Sequence, residues 1–464
     1  MNSLSLDSLC AWYCDHLDEL THAYHELLRF PTIGADPKRL GDCASCAAWL
    51  KRYLRKMGFE VELVQSELSA PPVLYAIRKG SAPQTVLLYG HYDVQPPDPE
   101  SEWETPPFEP TRKSNGRTYC RGAQDDKGQF FAALSGFQAA IDSGQSVPTL
   151  KVVLEGQEES GSGALTALLS SPEFSRDRLA ADVLLVCDTG EHASGRPAIV
   201  AGLRGVVHWT VSLEGPSYDL HSGLHGGLAP NPAQGMAQLL SSLYEPSGRV
   251  AVAGFYDTVK APTERELALA EEVPFDAEAY RQTCGCPPVG GEANCSPVMR
   301  NSFLPTLEVN GVHSGYGGPG SKTVIPSKAI AKLSMRLVPN QSPQEVLNLV
   351  LKHLQSHVPR GCKVSFSEIT GLEPGFRLPI GTPVDTIARE VLTRIDPRGP
   401  VYKWEGASIP VVARLRAVSG AAPLLVGWGR EEDKIHCPNE SFGDDQFLKA
   451  LQWAALIITE LAKE

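Results

Sequence analysis

Residues able to bind metal ions or to move protons recur where apolar segments of the chain end. "TVLLYG" runs into a histidine with an aspartate two residues on, "LKVVLEG" leads to two adjacent glutamates, and "DVLLVCD" ends on an aspartate. A further aspartate pair stands in "GAQDDKG", before a helical pattern. These residues are His91 and Asp93, Asp125 and Asp126, Glu158 and Glu159, and Asp188. Functional groups of open α/β sheets collect beyond the carboxyl ends of the strands, so we expect these side chains to lie close together.

The negative charges in such a cluster would repel one another, and a metal ion would neutralise them. Carboxylates held together without cations repel one another and raise one another's pKa. Mixed imidazole and carboxylate ligands suit zinc or a similar divalent ion. His436, in "IHCPNES" after the apolar "APLLVGWG", offers the second histidine that a pair of sites needs. Taken singly, such a histidine is more often a surface residue, such an aspartate a helix cap and such a glutamate pair a solvated loop. Their repetition at several strand ends nevertheless favours a metal site.

The elements that must position these residues are predicted from hydrophobic periodicity. Short continuous apolar runs such as "TVLLYG" and "DVLLVCD" are typical of buried strands, whereas residues 44–58 and 128–142 have the pattern of helices. Alternation of the two predicts an α/β fold with a doubly wound, mostly parallel sheet and helices on both faces.

The pattern changes at about residue 205 to alternating strands and separate helices, which are typical of a small α+β domain. Within it, a segment at about residues 255–300 is predicted to be irregular. Helical patterns resume near residue 382 and continue to an amphipathic C-terminal helix. We therefore predict a catalytic, metal-binding domain in two parts, residues 1–206 and 382–464, interrupted by an inserted domain of residues 207–381.

Composition limits the class of protein and its partners. A chain of 464 residues with 42% hydrophobic and 21% charged residues is typical of a globular protein of two domains. The formal net charge of −12 argues against nucleic-acid and anionic-membrane partners. Eleven scattered cysteines and an acidic N-terminus without a signal-peptide pattern predict a cytoplasmic protein with reduced thiols. Cys43 and Cys46 have CxxC spacing, but their helical surroundings favour core cysteines over a redox or zinc site.

Nine stretches of the chain resemble, in order, the motifs of the M20 family of metallopeptidases, most closely its cytosolic nonspecific dipeptidase and carnosinase branch. They are "YGHYDVQP" (89–96), "RGAQDDKG" (121–128), "EGQEESGS" (155–162), "CDTG" (187–190), "DLHSGLHGG" (219–227), "SKTVIPSKA" (321–329), "RLVPNQSP" (336–343), "EGASIPV" (405–411) and "IHCPNES" (435–441). One such motif is weak, but the ordered set is specific. The resemblance implies a hydrolase of dipeptides or short peptides, with an inserted lid and dimerisation domain, that works as a homodimer.

The resemblance also implies two divalent metal ions per subunit, zinc first, with manganese and cobalt as alternatives. His91 would bind one ion, His436 the other, and Asp125 would bridge the two. Glu159 would complete one site and Asp188 the other.

Catalytic roles follow from the same resemblance. Asp93 would hold the far nitrogen of His91 and so fix its tautomer and orientation. Glu158 would act as the general base, taking a proton from a water that bridges the metals and delivering it to the leaving amine. The peptide bond between Asp125 and Asp126 would be cis.

Substrate roles are implied for residues of the inserted domain and its flank. His221 would reach the active site of the partner subunit and stabilise the tetrahedral oxyanion. Arg336 would grip the terminal carboxylate of the substrate in bidentate fashion. Glu405, with the "GASIP" loop, and Thr323 would line the substrate site.

Two other functions stay open from the sequence. The same metal site would serve an amidohydrolase of N-acyl or N-carbamoyl amino acids, and the surroundings of Glu405, Arg336 and the partner's His221 would decide between the two. A non-catalytic binding or scaffold protein would need a ligand or the base to be missing, and the sequence retains all of them.

Overall fold

The computed structural model of the chain describes residues 4–67, 69–174, 176–406 and 409–463. Its strands are β1 (Glu60–Val64), β2 (Val73–Arg78), β3 (Thr85–His91), β4 (Thr111–Arg112), β5 (Arg117–Tyr119), β6 (Thr149–Glu155), β7 (Val183–Val186), β8 (Ala198–Leu203), β9 (Gly205–Glu214), β10 (Leu220–His221), β11 (Thr306–Ser314), β12 (Val324–Ile325), β13 (Lys328–Leu337), β14 (Lys363–Glu373), β15 (Phe376–Arg377), β16 (Val401–Glu405), β17 (Ala422–Leu425) and β18 (Ser441–Gly443). Its α-helices are α1 (Leu6–Leu28), α2 (Leu40–Lys56), α3 (Lys127–Asp142), α4 (Gly163–Leu169), α5 (Arg176–Leu179), α6 (Ser222–His225), α7 (Pro232–Ser241), α8 (Glu264–Ala270), α9 (Ala277–Cys284), α10 (Pro343–Ser356), α11 (Pro383–Ile395), α12 (Pro410–Ser419) and α13 (Asp444–Leu461).

The chain divides into two compact units. The first comprises Met1–Ala201, Leu378–Lys403 and Val411–Glu464, and the second comprises Gly202–Arg377 and Trp404–Pro410. The predicted domain limits at residues 206 and 381, and the roles given to the two domains, stay predictions.

A mixed β-sheet forms the centre of the first unit. Its strands lie in the order β1-β2-β6-β3-β7-β17-β8. The central strands β6, β3, β7 and β17 are parallel, and β2 and β8 flank them in antiparallel orientation. Buried valines and leucines fill the centre, as expected where helices cover a parallel sheet. The predicted α/β class is confirmed, with antiparallel strands at the edges of a parallel centre.

The register of the parallel strands brings their carboxyl ends to one edge of the sheet. His91 at the end of β3 pairs with Glu155 at the end of β6. Tyr89 pairs with Val186 of β7, so Asp188, two residues on, is level with His91. The loops after β3, β6 and β7 therefore leave the sheet side by side.

Helices α3 and α13 pack against each other and are buried on most sides. Gly136 permits the close approach, because a Cβ atom there would lie 2.3 Å from the carbonyl oxygen of Leu451 and 2.9 Å from Cβ of Ala454. The start of α3, which follows Asp126 directly, is thereby fixed against the core.

The second unit has the predicted α+β arrangement. Its antiparallel sheet has the strand order β11-β13-β9-β14, and α7 and α10 pack against it. One core joins the sheet to both helices and includes Trp209, Leu239 and Leu347. A separate two-stranded sheet pairs β10 with β12.

The prediction of an irregular segment at residues 255–300 is wrong in part, because α8 and α9 lie within it. Thr263 caps α8 by accepting from the N–H of Glu266, and Asp276 caps α9. The two helices have 7 and 8 residues, and neither contains a buried residue, so neither provides the long apolar stripe on which hydrophobic periodicity depends.

Cys43 and Cys46 lie on α2 as buried, free thiols. Burial raises the pKa of Cys43 to about 12 and that of Cys46 to about 11, which makes both poor nucleophiles at neutral pH. Throughout the described ranges, no helix is both long enough and apolar enough to cross a bilayer.

Candidate metal centre

Strand ends and one helix start carry the candidate ligands of the first unit. His91 is the last residue of β3, and Asp188 follows β7 by two residues. Asp125 stands just before α3, and its peptide bond to Asp126 is cis, as the family resemblance implies. Glu159 lies in a 3₁₀ turn, Glu158–Ser160, that follows β6.

The candidate ligands fall into two groups that share one residue. Ligand atoms of His91, Asp125 and Asp188 lie within 4.8 Å of one another. Ligand atoms of Asp125, Glu159 and His436 satisfy the same limit. Asp125 belongs to both groups, so its carboxylate lies where a bridging ligand would be needed.

The two oxygens of Asp125 face different histidines. Oδ1 lies 3.1 Å from Nε2 of His91, and Oδ2 lies 2.9 Å from Nε2 of His436. Each group is closed by one further carboxylate. Asp188 Oδ2 lies 3.7 Å from Nε2 of His91, and Glu159 Oε2 lies 3.4 Å from Nε2 of His436.

The donor atoms fit divalent cations. Nε2 of His91 is buried and makes no hydrogen bond within the described part of the chain, so its lone pair is available to a ligand. Burial opposes protonation of this imidazole, but the carboxylates of Asp125 and Asp188 outweigh that effect and raise the His91 pKa well above its ordinary value. Cations bound between these groups would replace the protons that the carboxylates otherwise draw onto histidine.

The pKa of the second histidine, His436, is raised by nearby carboxylates in the same way. Hydrogen bonds to Asp125 and Glu159 raise the pKa of His436 to about 10. Burial raises the pKa of Glu159, and the Asp125 charge raises it further. An excess of negative charge in a poorly solvated place is the condition that metal binding relieves.

Asp93 supports both the histidine and the glutamate turn. Its Oδ1 lies 3.4 Å from Nδ1 of His91, which also hydrogen-bonds the Asp93 carbonyl oxygen at 3.2 Å. The same carboxylate accepts from the N–H groups of Glu158 and Glu159, both at 3.1 Å. Sequence reasoning assigned only the histidine contact, because backbone donors are not visible in a motif.

The two adjacent glutamates occupy different surroundings. Glu159 Oε2 accepts from Nε2 of Gln95 at 2.8 Å and belongs to a ligand group, whereas Glu158 belongs to neither. Burial raises the pKa of Glu158 well above its ordinary value; the His91 charge opposes this, and the Asp188 charge adds to it. A carboxyl with a raised pKa and no place in a ligand group is suited to proton transfer.

The remaining predicted residues lie in the second unit. His221 and Thr323 are neighbours there, since β10 pairs with β12 and the N–H of Ser222 donates to the Thr323 carbonyl at 3.1 Å. His221 is exposed, and its Nδ1 accepts from the N–H of Gly223 at 3.0 Å.

Arg336 lies half-buried on β13, and burial lowers its pKa. Glu405 ends β16 and is also half-buried, whereas Ala407 and Ser408 of the loop that follows lie outside the described residues. Sequence reasoning missed Arg204. Burial and the Arg336 charge lower the pKa of Arg204 to about 10, so a second guanidinium shares the surroundings of Arg336.

Sequence reasoning also missed a buried pair, Arg121 and Glu440, whose charged groups lie 2.8 Å apart. Both belong to motifs that carry candidate ligands, "RGAQDDKG" and "IHCPNES". Their residue types alone are those of an ordinary surface ion pair. The one signal in the sequence was that each residue lies in a motif that carries a candidate ligand.

Two groups of histidine and carboxylate ligands that share an aspartate, at the carboxyl edge of an α/β sheet, are typical of hydrolases that use two metal ions. The model of peptidase family M20/M25/M40 matches residues 87–460 of the chain. The chain belongs to this family and is a hydrolytic metallopeptidase.

Relatives of known activity span almost the whole chain. Cys-Gly metallodipeptidase dug1 of Schizosaccharomyces pombe is 29% identical over 478 residues, covering 99% of each chain. Beta-Ala-His dipeptidase of Homo sapiens is 30% identical over 461 residues, covering 97% of this chain and 88% of that protein. The solved structure of the di-peptidase Dug1p from Saccharomyces cerevisiae matches with a TM-score of 0.84 and 26% identity, covering 99% of each chain.

Proposed function

We propose that the chain is a dipeptidase that uses two divalent ions, with zinc as the first candidate and manganese or cobalt as alternatives. The observation that carries the proposal is the position of Asp125, which belongs to both ligand groups and turns one oxygen toward each histidine. The relatives are named for Cys-Gly and for β-Ala-His, two dipeptides with unlike side chains. They therefore support dipeptide hydrolysis as the reaction more strongly than they support any one dipeptide as the substrate.

We assign one ion to His91, Asp125 and Asp188, and the other to Asp125, Glu159 and His436. Bound divalent ions lower the pKa of water and polarise a scissile carbonyl. The chain supplies Glu158, which takes the proton from the attacking water and delivers it to the leaving amine. Its raised pKa suits both steps, because the same carboxyl must first accept a proton and then give it up.

We assign the substrate contacts to residues of the second unit. These belong to the proposed lid and dimerisation domain, residues 207–381, together with Glu405. The half-buried Arg336 would bind the carboxyl terminus of a dipeptide, with Glu405 and Thr323 lining the site. His221 would act across a homodimer on the oxyanion, a role that its exposure on β10 supports.

The outer strand β11 supports dimer formation. Val309 and Val312 on this strand are 37% and 55% exposed, and exposed apolar side chains beside the unpaired backbone of an edge strand favour pairing with a second copy. We place the protein in the cytoplasm because its cysteines are free thiols. Sedimentation of the purified protein tests the dimer, and a fully active monomer would rule out the role of His221 in the partner.

Metal analysis with a hydrolysis screen tests the proposal as a whole. We expect two divalent ions per chain and hydrolysis of dipeptides, Cys-Gly and β-Ala-His among them. The alternative, an amidohydrolase, predicts instead that N-acetyl or N-carbamoyl amino acids are the better substrates. A chain that binds no divalent ion would refute both.

Glu158→Gln tests the base within that scheme. We expect kcat to fall by about 10²–10⁴-fold, the range of general acid–base catalysis, while both ions stay bound. Glu60→Gln removes an exposed glutamate on β1 and is the control, with unchanged activity. Full activity in Glu158→Gln would show that another group accepts the proton.

A further inference from the structure

One buried ion pair lies between the two loops that carry the shared aspartate and the second histidine. Glu440 is 0% exposed and Arg121 is 1% exposed. Glu440 follows His436 by four residues, and Arg121 precedes Asp125 by four residues. The metal ligands and the base assigned above do not include either member of the pair.

The Glu440 carboxylate is saturated with donors from the Asp125 loop. Oε2 accepts from Nη1 of Arg121 at 2.8 Å and from the N–H of Gly122 at 2.9 Å. Oε1 accepts from the N–H of Gln124 at 2.9 Å and from the N–H of Asp125 at 3.1 Å. A carboxylate has about four lone-pair positions, and all four are used here.

The same two residues connect further parts of the centre. Nη2 of Arg121 donates to the carbonyl of Pro96 at 3.2 Å, in the loop that follows His91. The N–H of Cys120 donates to the Glu440 carbonyl at 3.0 Å. Immediately beyond these residues, β18 pairs with β5, with Ser441 opposite Tyr119. The loops that carry Asp125 and His436 thus meet the loop that follows His91 at one buried charge pair.

We propose that Glu440, held by Arg121, is the positioning residue that sets the separation of the two ligand groups. It acts through the backbone N–H of Asp125. This contact fixes the residue so that its two carboxylate oxygens face His91 and His436 at the same time. The proposal rests on the proposed two-metal function, because the separation matters only if both groups bind ions.

The geometry makes Glu440→Gln a sharp test. An amide keeps the size of the side chain, but its NH₂ group is a donor and cannot accept from the two groups that one carboxylate oxygen now serves. Two of the four donors therefore lose their acceptor, and the loop that carries Asp125 must shift. Arg121→Lys is the milder change, since it keeps the charge and loses the planar fork that reaches both Glu440 and Pro96.

The experiment measures Zn²⁺ binding to chelator-treated protein by titration against a chromophoric chelator. Wild type is expected to bind two ions. In Glu440→Gln we expect affinity for at least one ion to fall about 10–100-fold, the range found when partners of metal ligands are removed. The d–d absorption of the Co²⁺-loaded variant should change as well, which a loss of overall stability does not cause. Arg121→Lys should give a smaller fall in the same direction.

Asp385→Asn is the matched control. Asp385 is a buried carboxylate of the same unit that accepts from Oη of Tyr402 and from the N–H of Gly381, without belonging to either ligand group. Its variant should lose stability and keep Zn²⁺ affinity within about twofold of wild type, an effect of roughly 0.4 kcal/mol or less.

Three results would overturn the proposal. Wild-type affinity for both ions in Glu440→Gln is the first. An equal loss in Asp385→Asn is the second, because it would mark a general effect of lost stability. Failure of both Glu440→Gln and Arg121→Lys to fold, while Asp385→Asn folds, is the third, because the pair would then serve folding alone. If wild type itself binds no ion, the proposed function fails instead.

Discussion

The two ligand groups that share Asp125 are held by the chain in different ways. The His91 side chain is 0% exposed and ends a central strand, whereas the His436 side chain is 50% exposed and lies on a loop. His436 has φ 61°, in the left-handed region, as do Lys434 and Asn439 on either side of it. One group is placed by the core of the sheet, and the other by loop backbone.

This difference predicts unequal metal sites in one centre. A strand-end ligand moves only if the sheet moves, because its neighbours on β6 and β7 are buried. A half-exposed loop ligand is open to water and to competing chelators. Asp125 couples the groups, and Asp93 reaches both through His91 and the N–H of Glu159.

The largest effect is expected for Asp125→Ala, which removes the residue common to both groups. Both ions should be lost, and kcat/KM should fall by about 10³-fold or more, since metal ions supply several kcal/mol of transition-state stabilisation. Ion content by mass spectrometry and dipeptide hydrolysis measure this. Asp142→Ala, at the exposed far end of α3, is the control. Retention of one tightly bound ion at His91 would show that the groups are independent.

A smaller loss is expected for Asp93→Asn. The variant keeps a carbonyl oxygen but replaces one acceptor by a donor, so the N–H of Glu158 or of Glu159 loses its partner. Metal affinity should fall about 10–100-fold, and at both groups. Zn²⁺ titration of the apo-protein measures the change. Selective weakening of the ion at His91 would mean that Asp93 acts through the histidine alone.

The smallest effect is a difference in exchange between the two ions of the wild type. We expect a chelator to remove the ion at His436 about tenfold faster than the ion at His91, because the His436 side chain is 50% exposed whereas the most exposed ligand at His91, Asp188, is 18% exposed. Stopped-flow chelation resolves the two phases. His436→Asn should abolish the fast phase and His91→Asn the slow one. A single phase for both ions would show that the exposure of His436 does not make its ion easier to remove.

The sequence predicted the parallel centre of the sheet because continuous apolar runs of strand length have few other interpretations. It also predicted which residue types would gather at the strand ends, and the structure brings His91, Asp125 and Asp188 within one group. His436 had many competitors of its own type along the chain, so its choice depended on the family resemblance and not on spacing.

Features that depend on backbone hydrogen bonds could not be predicted from the sequence. The four donors to Glu440 include three main-chain N–H groups. Every residue type except proline has such a group, so the sequence does not indicate which of them will donate. Likewise α8 and α9 depend on capping by Thr263 and Asp276 and not on a buried face. Arg204, just before β9, comes near Arg336 through the register of β9 against β13, and a hydrophobic pattern does not specify that register.

The division of the first unit along the chain has a consequence for synthesis. During translation His91, Asp125, Glu158 and Asp188 leave the ribosome before the second unit, and His436 leaves after it. The strand β17, which pairs with β7, and the helix α13, which packs against α3, also come last. A nascent chain that ends before them therefore holds the proposed base, Glu158, and the candidate group of His91, Asp125 and Asp188 beside unpaired apolar surfaces. His436 can join the second candidate group only after β17 is made, so under the proposed function peptide hydrolysis requires the C-terminal part of the chain.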